Sequence, residues 1–287
     1  MKIGLRIPGK ARDLAFQDFC HWCASVGFQA VDVGRVTAEV AQAIEAAGLG
    51  VGTADLPGTG DLLSPDPAKR EAGTQVAAEA IRQAAEHGVG TMFCVFVPPD
   101  GARGRAANFE FWKEAFPPVL RCAEEQNVRL AMEGWPGGSP HYPALGCTPE
   151  MWRAMFREFP SPYFGLNYDP SHLVRIGVDY LRALVEFGDR IFHAHGKDTE
   201  INQEALYLHG NLGPTFQRPR AFGEDWWRYC IPGDGLVDWA KVVARLSEVG
   251  FDGIISVELE DARYHQTWEL ESEGLIRSRN YLARFVR

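Results

Sequence analysis

The chain has 287 residues, 46% of them hydrophobic and 23% charged, the profile of a soluble globular protein with a full core. Its net charge of −9 disfavours a nucleic-acid or anionic-membrane partner, either of which calls for a basic face. No apolar run approaches the ~20 residues needed to span a bilayer.

The first stretch, KIGLRIP (2–8), reads as a strand interrupted by Arg6 and Pro8. It contains no signal-peptide core, so a cytoplasmic protein is expected. Residues 4–11 match G-x-x-x-x-G-K, but Ala11 stands where a phosphate loop needs Ser or Thr, and the segment is itself the strand. A helical pattern follows over 13–26. Phe16, Phe19, Trp22, Cys23 and Val26 share its apolar face, so the Cys20-x-x-Cys23 pair packs in a core; no second pair completes a zinc site. Six cysteines in all suggest reduced thiols.

AVDVG (30–34) and VGTADL (51–56) are the next strands, with a helix at 37–47 between them. The glycines at 48, 50 and 52 precede a strand, the wrong order for a dinucleotide fold, so no nucleotide cofactor is expected. Gly58 and Gly60 shape a rim loop. A helix at 67–87, TMFCVFV (91–97), a helix at 108–126, RLAMEGW (129–135), a helix at 148–158 and FGLNYDP (164–170) continue the alternation. It ends with a helix at 179–187, IFHAHGKD (191–198), a helix at 238–249, GIISVELE (253–260) and a helix at 267–282.

Several strands are almost continuously apolar, as strands buried on both faces are. Eight strand–helix pairs predict a single (β/α)8 TIM barrel spanning 1–287, rather than a doubly wound open sheet. One connection is out of scale. Residues 199–237, after the seventh strand, are rich in Gly, Pro and aromatics, and a loop of this length points to a lid on the face where such barrels do their chemistry.

Reactive groups of such barrels sit where strands end. The last four predicted strands deliver Glu133, Asp169, His195 and Glu258 there. Side chains alternate along a strand, so His193 and Lys197 share the inward face with His195, and Glu260 shares it with Glu258. Any one of these residues alone is more simply a solvated charge or a turn. Together they predict a site for one divalent ion. Three carboxylates and an imidazole suit Mn²⁺ best, with Mg²⁺, Co²⁺ or Zn²⁺ as alternatives. Without a cation, converging carboxylates repel and raise one another's pKa.

The motifs LAMEGWP, NYDPSH, HAHGKD and ISVELED, with WWRYCIPGDGLVDW (226–239), resemble the xylose-isomerase-like superfamily of sugar isomerases and epimerases over essentially the whole barrel. The resemblance implies Glu133, Asp169, His195 and Glu258 as metal ligands, choosing His195 over His193 and Glu258 over Glu260. It places His172 near the substrate and the metal-side network. It also implies a homodimer or homotetramer.

Such a site moves a proton beside a carbonyl. Glu133 and Glu258 lie about three-eighths of a turn apart around an eight-stranded barrel. One takes a proton and the other returns it to the opposite face, the role of such a pair in the epimerases that the chain resembles. His172, Lys197, Arg228 and Trp226 are the expected substrate contacts. Alternatively His172 is only a partner of Asp169, Lys197 pairs with Asp198, and the aromatics around 226–229 dock the insertion. Arg218, Arg220 and Arg228 are scattered, which favours an unphosphorylated keto sugar or keto-glycoside.

A lyase acting on a keto-inositol or a 3-keto-glycoside begins with the same proton abstraction and is the main rival. A non-catalytic sugar-binding subunit is the remote one. An apurinic-site endonuclease shares the barrel and the D-P-S-H motif, but needs histidines that VGTADL and TMFCVFV lack, and a basic DNA face.

Overall fold

A computed structural model describes residues 1–139, 141–218 and 221–286; Arg220 lies outside them. In chain order the strands are β1 (Lys2–Arg6), β2 (Ala30–Val33), β3 (Gly50–Asp55), β4 (Thr91–Cys94), β5 (Arg129–Glu133), β6 (Phe164–Tyr168), β7 (Ile191–Gly196), β8 (Asp198–Ile201), β9 (Trp227–Cys230) and β10 (Ile254–Val257). Eight of them close a barrel in the order β1-β10-β7-β6-β5-β4-β3-β2. Every neighbouring pair is parallel.

The helices are α1 (Phe16–Ser25), α2 (Ala38–Ala46), α3 (Pro67–Glu86), α4 (Arg105–Glu125), α5 (Pro149–Glu158), α6 (Pro170–Arg175), α7 (Tyr180–Glu186), α8 (Gln203–His209), α9 (Trp239–Glu248) and α10 (Trp268–Leu282). Most begin on a residue whose side chain accepts a backbone N–H of the first turn. Thr37, Thr148 and Thr267 do so for α2, α5 and α10, and Asp66, Asp179 and Asp238 for α3, α7 and α9. Each such cap stabilises its helix by about 1 kcal/mol.

The apolar core lies between the strands and the helix ring. Trp112 of α4 is fully buried at its centre, stacked on Phe116 at 4.7 Å and edge-on to Phe96 and Phe159. The barrel interior is different in kind. Asp32, Thr53, Asn167, His193, His195 and Ser256 are buried polar residues of the barrel strands. A Cβ at Gly52 would overlap Asp32 Oδ1, so glycine there makes room for the carboxylate. Cys20 and Cys23 are buried free thiols, as helical packing predicts.

The structure departs from the expected elements after β7. The chain does not loop freely over 199–237. It breaks at Lys197 and starts β8, which pairs antiparallel with β9 so that Asp198 faces Cys230 and Thr199 faces Tyr229. Between them lie α8 and a 3₁₀ turn. Asp198 fastens this insertion to the barrel. Its Oδ1 accepts from the N–H groups of Thr199 (2.8 Å) and Val237 (2.9 Å), and its Oδ2 from Gly233 N–H (3.1 Å). A Cβ at Gly235 would strike the same carboxylate.

Asp198→Ala leaves these buried N–H groups without an acceptor. It is expected to lower the unfolding free energy by about 2–4 kcal/mol in a urea titration; a change below about 0.5 kcal/mol would show that the carboxylate is not the fastening.

Candidate functional site

Four adjacent strands, β5, β6, β7 and β10, carry the side chains of the site. Glu133 is the last residue of β5. Asp169 follows β6 and caps α6, its Oδ1 accepting Ser171 N–H at 2.8 Å with Pro170 in the first helical turn. The Asp-Pro step is therefore a strand-to-helix junction that aims the other carboxylate oxygen into the barrel mouth. His195 is on β7, and Glu258 directly follows β10.

One ligand atom from each of Glu133, Asp169, His195 and Glu258 lies within 4.8 Å of the others. His195 Nδ1 is 2.6 Å from Glu133 Oε1, 3.2 Å from Glu258 Oε2 and 4.0 Å from Asp169 Oδ2. A second group, Asp32, His193 and His195, lies deeper in the barrel. His193 Nε2 is 3.0 Å from Asp32 Oδ2, and Asp32 Oδ1 accepts Thr53 N–H at 3.0 Å. His193 is thus already partnered by Asp32, whereas His195 Nδ1 faces the carboxylate oxygens of Glu133 and Glu258 and its Nε2 lacks a hydrogen-bond partner.

Lys197 is buried in the cluster. Its ammonium contacts Glu258, lies 3.2 Å from Asp169 Oδ2 and 3.0 Å from Glu260 Oε2, and sits 4.7 Å from the centre of the Tyr229 ring. Asp198 is occupied with the insertion, so Lys197 pairs with the site instead of with its sequence neighbour. Arg6 of β1 donates to both oxygens of Asp55 (2.8 and 3.0 Å) and reaches Glu258 Oε1 at 3.3 Å. Burial pushes the Glu258 carboxyl up, but Lys197, His195 and Arg6 outweigh it and hold Glu258 well below the usual carboxylate range. For Glu133, burial and Glu258 push upward, and His195 with His172 more than offset them. Glu260 stays raised, because burial and Glu258 outweigh the pull of Lys197.

His172 Nε2 is 3.4 Å from both Glu133 Oε2 and Asp169 Oδ2, and its Nδ1 is 2.6 Å from Tyr229 Oη. Trp226 and Arg228 do not reach this cluster. Trp226 packs with Ala205, Trp227 and Tyr229 inside the insertion, and Arg228 pairs with Glu200 and with Asp261. The contacts of Trp226 fit the alternative given for the aromatics, docking the insertion, and Arg228 is engaged in its two ion pairs. Sequence reading passed over Asn167, which donates to Glu133 Oε1 at 3.0 Å, and Arg6, Asp32 and Arg175. A cation in the apolar first strand was the only local hint of Arg6.

The donor set suits a dication. Asp169 Oδ2 and His195 Nδ1 are buried with only charged groups of the cluster beside them, and His195 Nε2 has no hydrogen-bond partner. The surrounding carboxylates outnumber the cations Lys197 and Arg6. Three carboxylate oxygens and one imidazole nitrogen are the ligands of a hard or borderline divalent ion.

The sequence model of the xylose isomerase-like TIM barrel family matches residues 20–283. An inosose dehydratase of Lacticaseibacillus casei is 34% identical over 95 residues, 33% of this chain and 30% of that protein. The match therefore spans under a third of that relative's length. The fold matches D-psicose 3-epimerase from Clostridium cellulolyticum H10 with TM-score 0.73 and 12% identity over 100% of both chains. It matches mannonate dehydratase from Streptococcus suis serotype 2 with TM-score 0.70 and 14% identity, over 98% of this chain and 93% of that one. The closed parallel barrel, the site at the carboxyl ends of its strands and the match over 20–283 make this chain a member of the xylose isomerase-like TIM barrel family.

Proposed function

We propose that the protein is a divalent-metal-dependent sugar isomerase/epimerase acting on an unphosphorylated keto sugar or keto-glycoside. The observation that carries this reading is the convergence of Glu133, Asp169, His195 and Glu258 from neighbouring strand ends within 4.8 Å. Those four residues hold the ion, Mn²⁺ being the best fit to the donor set. Bound there, a dication draws electron density from a sugar carbonyl and eases loss of the adjacent proton, a contribution of several kcal/mol.

The chain's own residues do the rest. Glu133 and Glu258 stand on strands three steps apart, flanking His195. One carboxylate takes the proton from the carbon beside the carbonyl and leaves an enediolate. The other takes up a proton from water as the enediolate forms and hands it to the opposite face of that carbon, while the first returns its proton to water. The sugar leaves with one centre inverted and no net proton gained. Lys197 keeps Glu258 ionised and, with His172, is placed to meet the sugar's oxygens. The insertion over 199–237 walls the site, with Arg228 and Trp226 as its anchors. Asp55, Arg6 and Glu260 are the more exposed residues of the mouth, on the β1, β3 and β10 side, and mark the route in.

A lyase is the second reading, because the matched sequence stretch belongs to an inosose dehydratase. The same abstraction then expels a leaving group from the next carbon, taking the electron pair of the broken C–O bond with it.

Two outcomes are expected. In deuterated water with Mn²⁺, the protein places deuterium beside the carbonyl of D-tagatose or D-fructose, read by NMR and mass. Glu133→Gln and Glu258→Gln each lower that rate by ~10²–10⁴. Loss of water or of an aglycone from a keto-inositol or 3-keto-glycoside, without epimer, selects the lyase; no exchange on any of these rejects both. In calorimetry, Mn²⁺ at about 100 times its Kd stabilises the fold by about 2.7 kcal/mol. Asp169→Asn is expected to abolish this gain, and an equal gain in that variant would rule the ligand set out.

A further inference from the structure

We propose that Tyr229, supplied by the insertion, is a positioning residue that fixes the ring proton of His172 on Nε2. The argument is one of direction along a chain of hydrogen bonds. Arg175 Nη1 lies 3.2 Å from Tyr229 Oη. A guanidinium only donates, so the phenol oxygen must accept there. The phenol keeps its own proton, since burial pushes its pKa up, outweighing the opposite pull of Arg175 and Lys197. That proton points to His172 Nδ1 at 2.6 Å, which must then be the unprotonated nitrogen. The His172 proton is left on Nε2.

The other side of the ring asks for the same arrangement. Nε2 faces Glu133 Oε2 and Asp169 Oδ2, both at 3.4 Å. A lone pair there would be aimed at two carboxylates, whereas an N–H is attracted by both. Lys197 Nζ is also 3.4 Å from Nε2, but its three protons have nearer carboxylates in Glu258, Glu260 at 3.0 Å and Asp169 Oδ2 at 3.2 Å. In the opposite tautomer the Tyr229 proton has no other acceptor within hydrogen-bonding distance among the described residues.

Arg175 is itself held. Its Nη2 donates to Gly137 O at 3.0 Å, and its guanidinium lies 4.0 Å from the centre of the Trp227 ring. Tyr229 is held by the pairing of β9 with β8. The insertion thereby orients a group inside the barrel. The catalytic consequence, an Nε2–H donor turned toward the ligand cluster and a sugar oxygen, rests on the epimerase reading; the tautomer does not.

The test is a long-range ¹H–¹⁵N spectrum of full-length protein labelled with ¹⁵N-histidine, without metal and with Mg²⁺. The chain has eight histidines, and His172→Gln identifies the signal of His172. The neutral Nε2–H pattern is expected in the wild type, and an averaged pattern in Tyr229→Phe. A neutral Nδ1–H or imidazolium pattern in the wild type overturns the proposal. So does an unchanged pattern in a folded Tyr229→Phe, and if that variant does not fold, the wild-type spectrum decides alone. With a turned-over sugar, Tyr229→Phe lowers kcat ~10–100-fold with little change in KM. Absence of turnover tests the functional reading and leaves the tautomer result standing.

Discussion

The structure is organised around like charges brought together where water is scarce. Glu133, Asp169 and Glu258 converge on His195, and Glu260 stands beside them. Placing ionised carboxylates in such a site costs several kcal/mol each unless cations and donors offset it. Lys197 and Arg6 supply the cations. Ser171 N–H and Asn167 Nδ2 supply hydrogen bonds to Asp169 and Glu133. By count the carboxylates Glu133, Asp169, Glu258 and Glu260 still exceed the cations Lys197 and Arg6. A site of this kind has most to gain from a dication, since binding relieves the repulsion that assembling it creates.

Such a site needs a scaffold that does not relax away from it. The aromatic shell around Trp112 and the capped helices stabilise the barrel from outside, so the interior can hold Asp32, His193 and His195 without relying on them for burial energy. Asp32 shows how tightly that interior is drawn. Its carboxylate takes His193 on one oxygen and Thr53 N–H on the other, in space left by Gly52. His193 is consumed in this contact and His195, two residues on along β7, is not. His193 and His195 share one face of β7, and their depth in the barrel separates a histidine tied to Asp32 from one in the carboxylate cluster, which alternation alone leaves ambiguous.

Much of this was legible in the sequence, for identifiable reasons. Strands buried on both faces announce themselves as short apolar runs, and Glu133, Asp169, His195 and Glu258 stood out because a charge or imidazole ends each run. What stayed hidden depended on contacts between distant residues. Lys197 read equally well as a partner of Asp198, and only the fold shows that Asp198 is taken by backbone N–H groups more than thirty residues away. Arg6 and Asp55 are 49 positions apart and meet only because β1, β2 and β3 are neighbours. The insertion read as an irregular lid because β8 and β9 are four residues each, too short for a two-residue period to emerge.

That insertion cannot serve as a simple flap. Lifting it whole would part Thr199 Oγ1 from Ser171 O and withdraw Tyr229 from His172 and Arg175. Each lost buried hydrogen bond costs about 1–3 kcal/mol when a partner stays behind unpaired. The segment beyond β8 is tied differently. Tyr207, Leu208, Leu212 and Phe216 are exposed there, and side-chain links such as His209 to Asp225 at 3.1 Å are few. Displacement therefore breaks the fewest contacts over α8 and the turn after it. The hairpin that carries Tyr229 stays with the barrel and belongs to the site as much as the strands do.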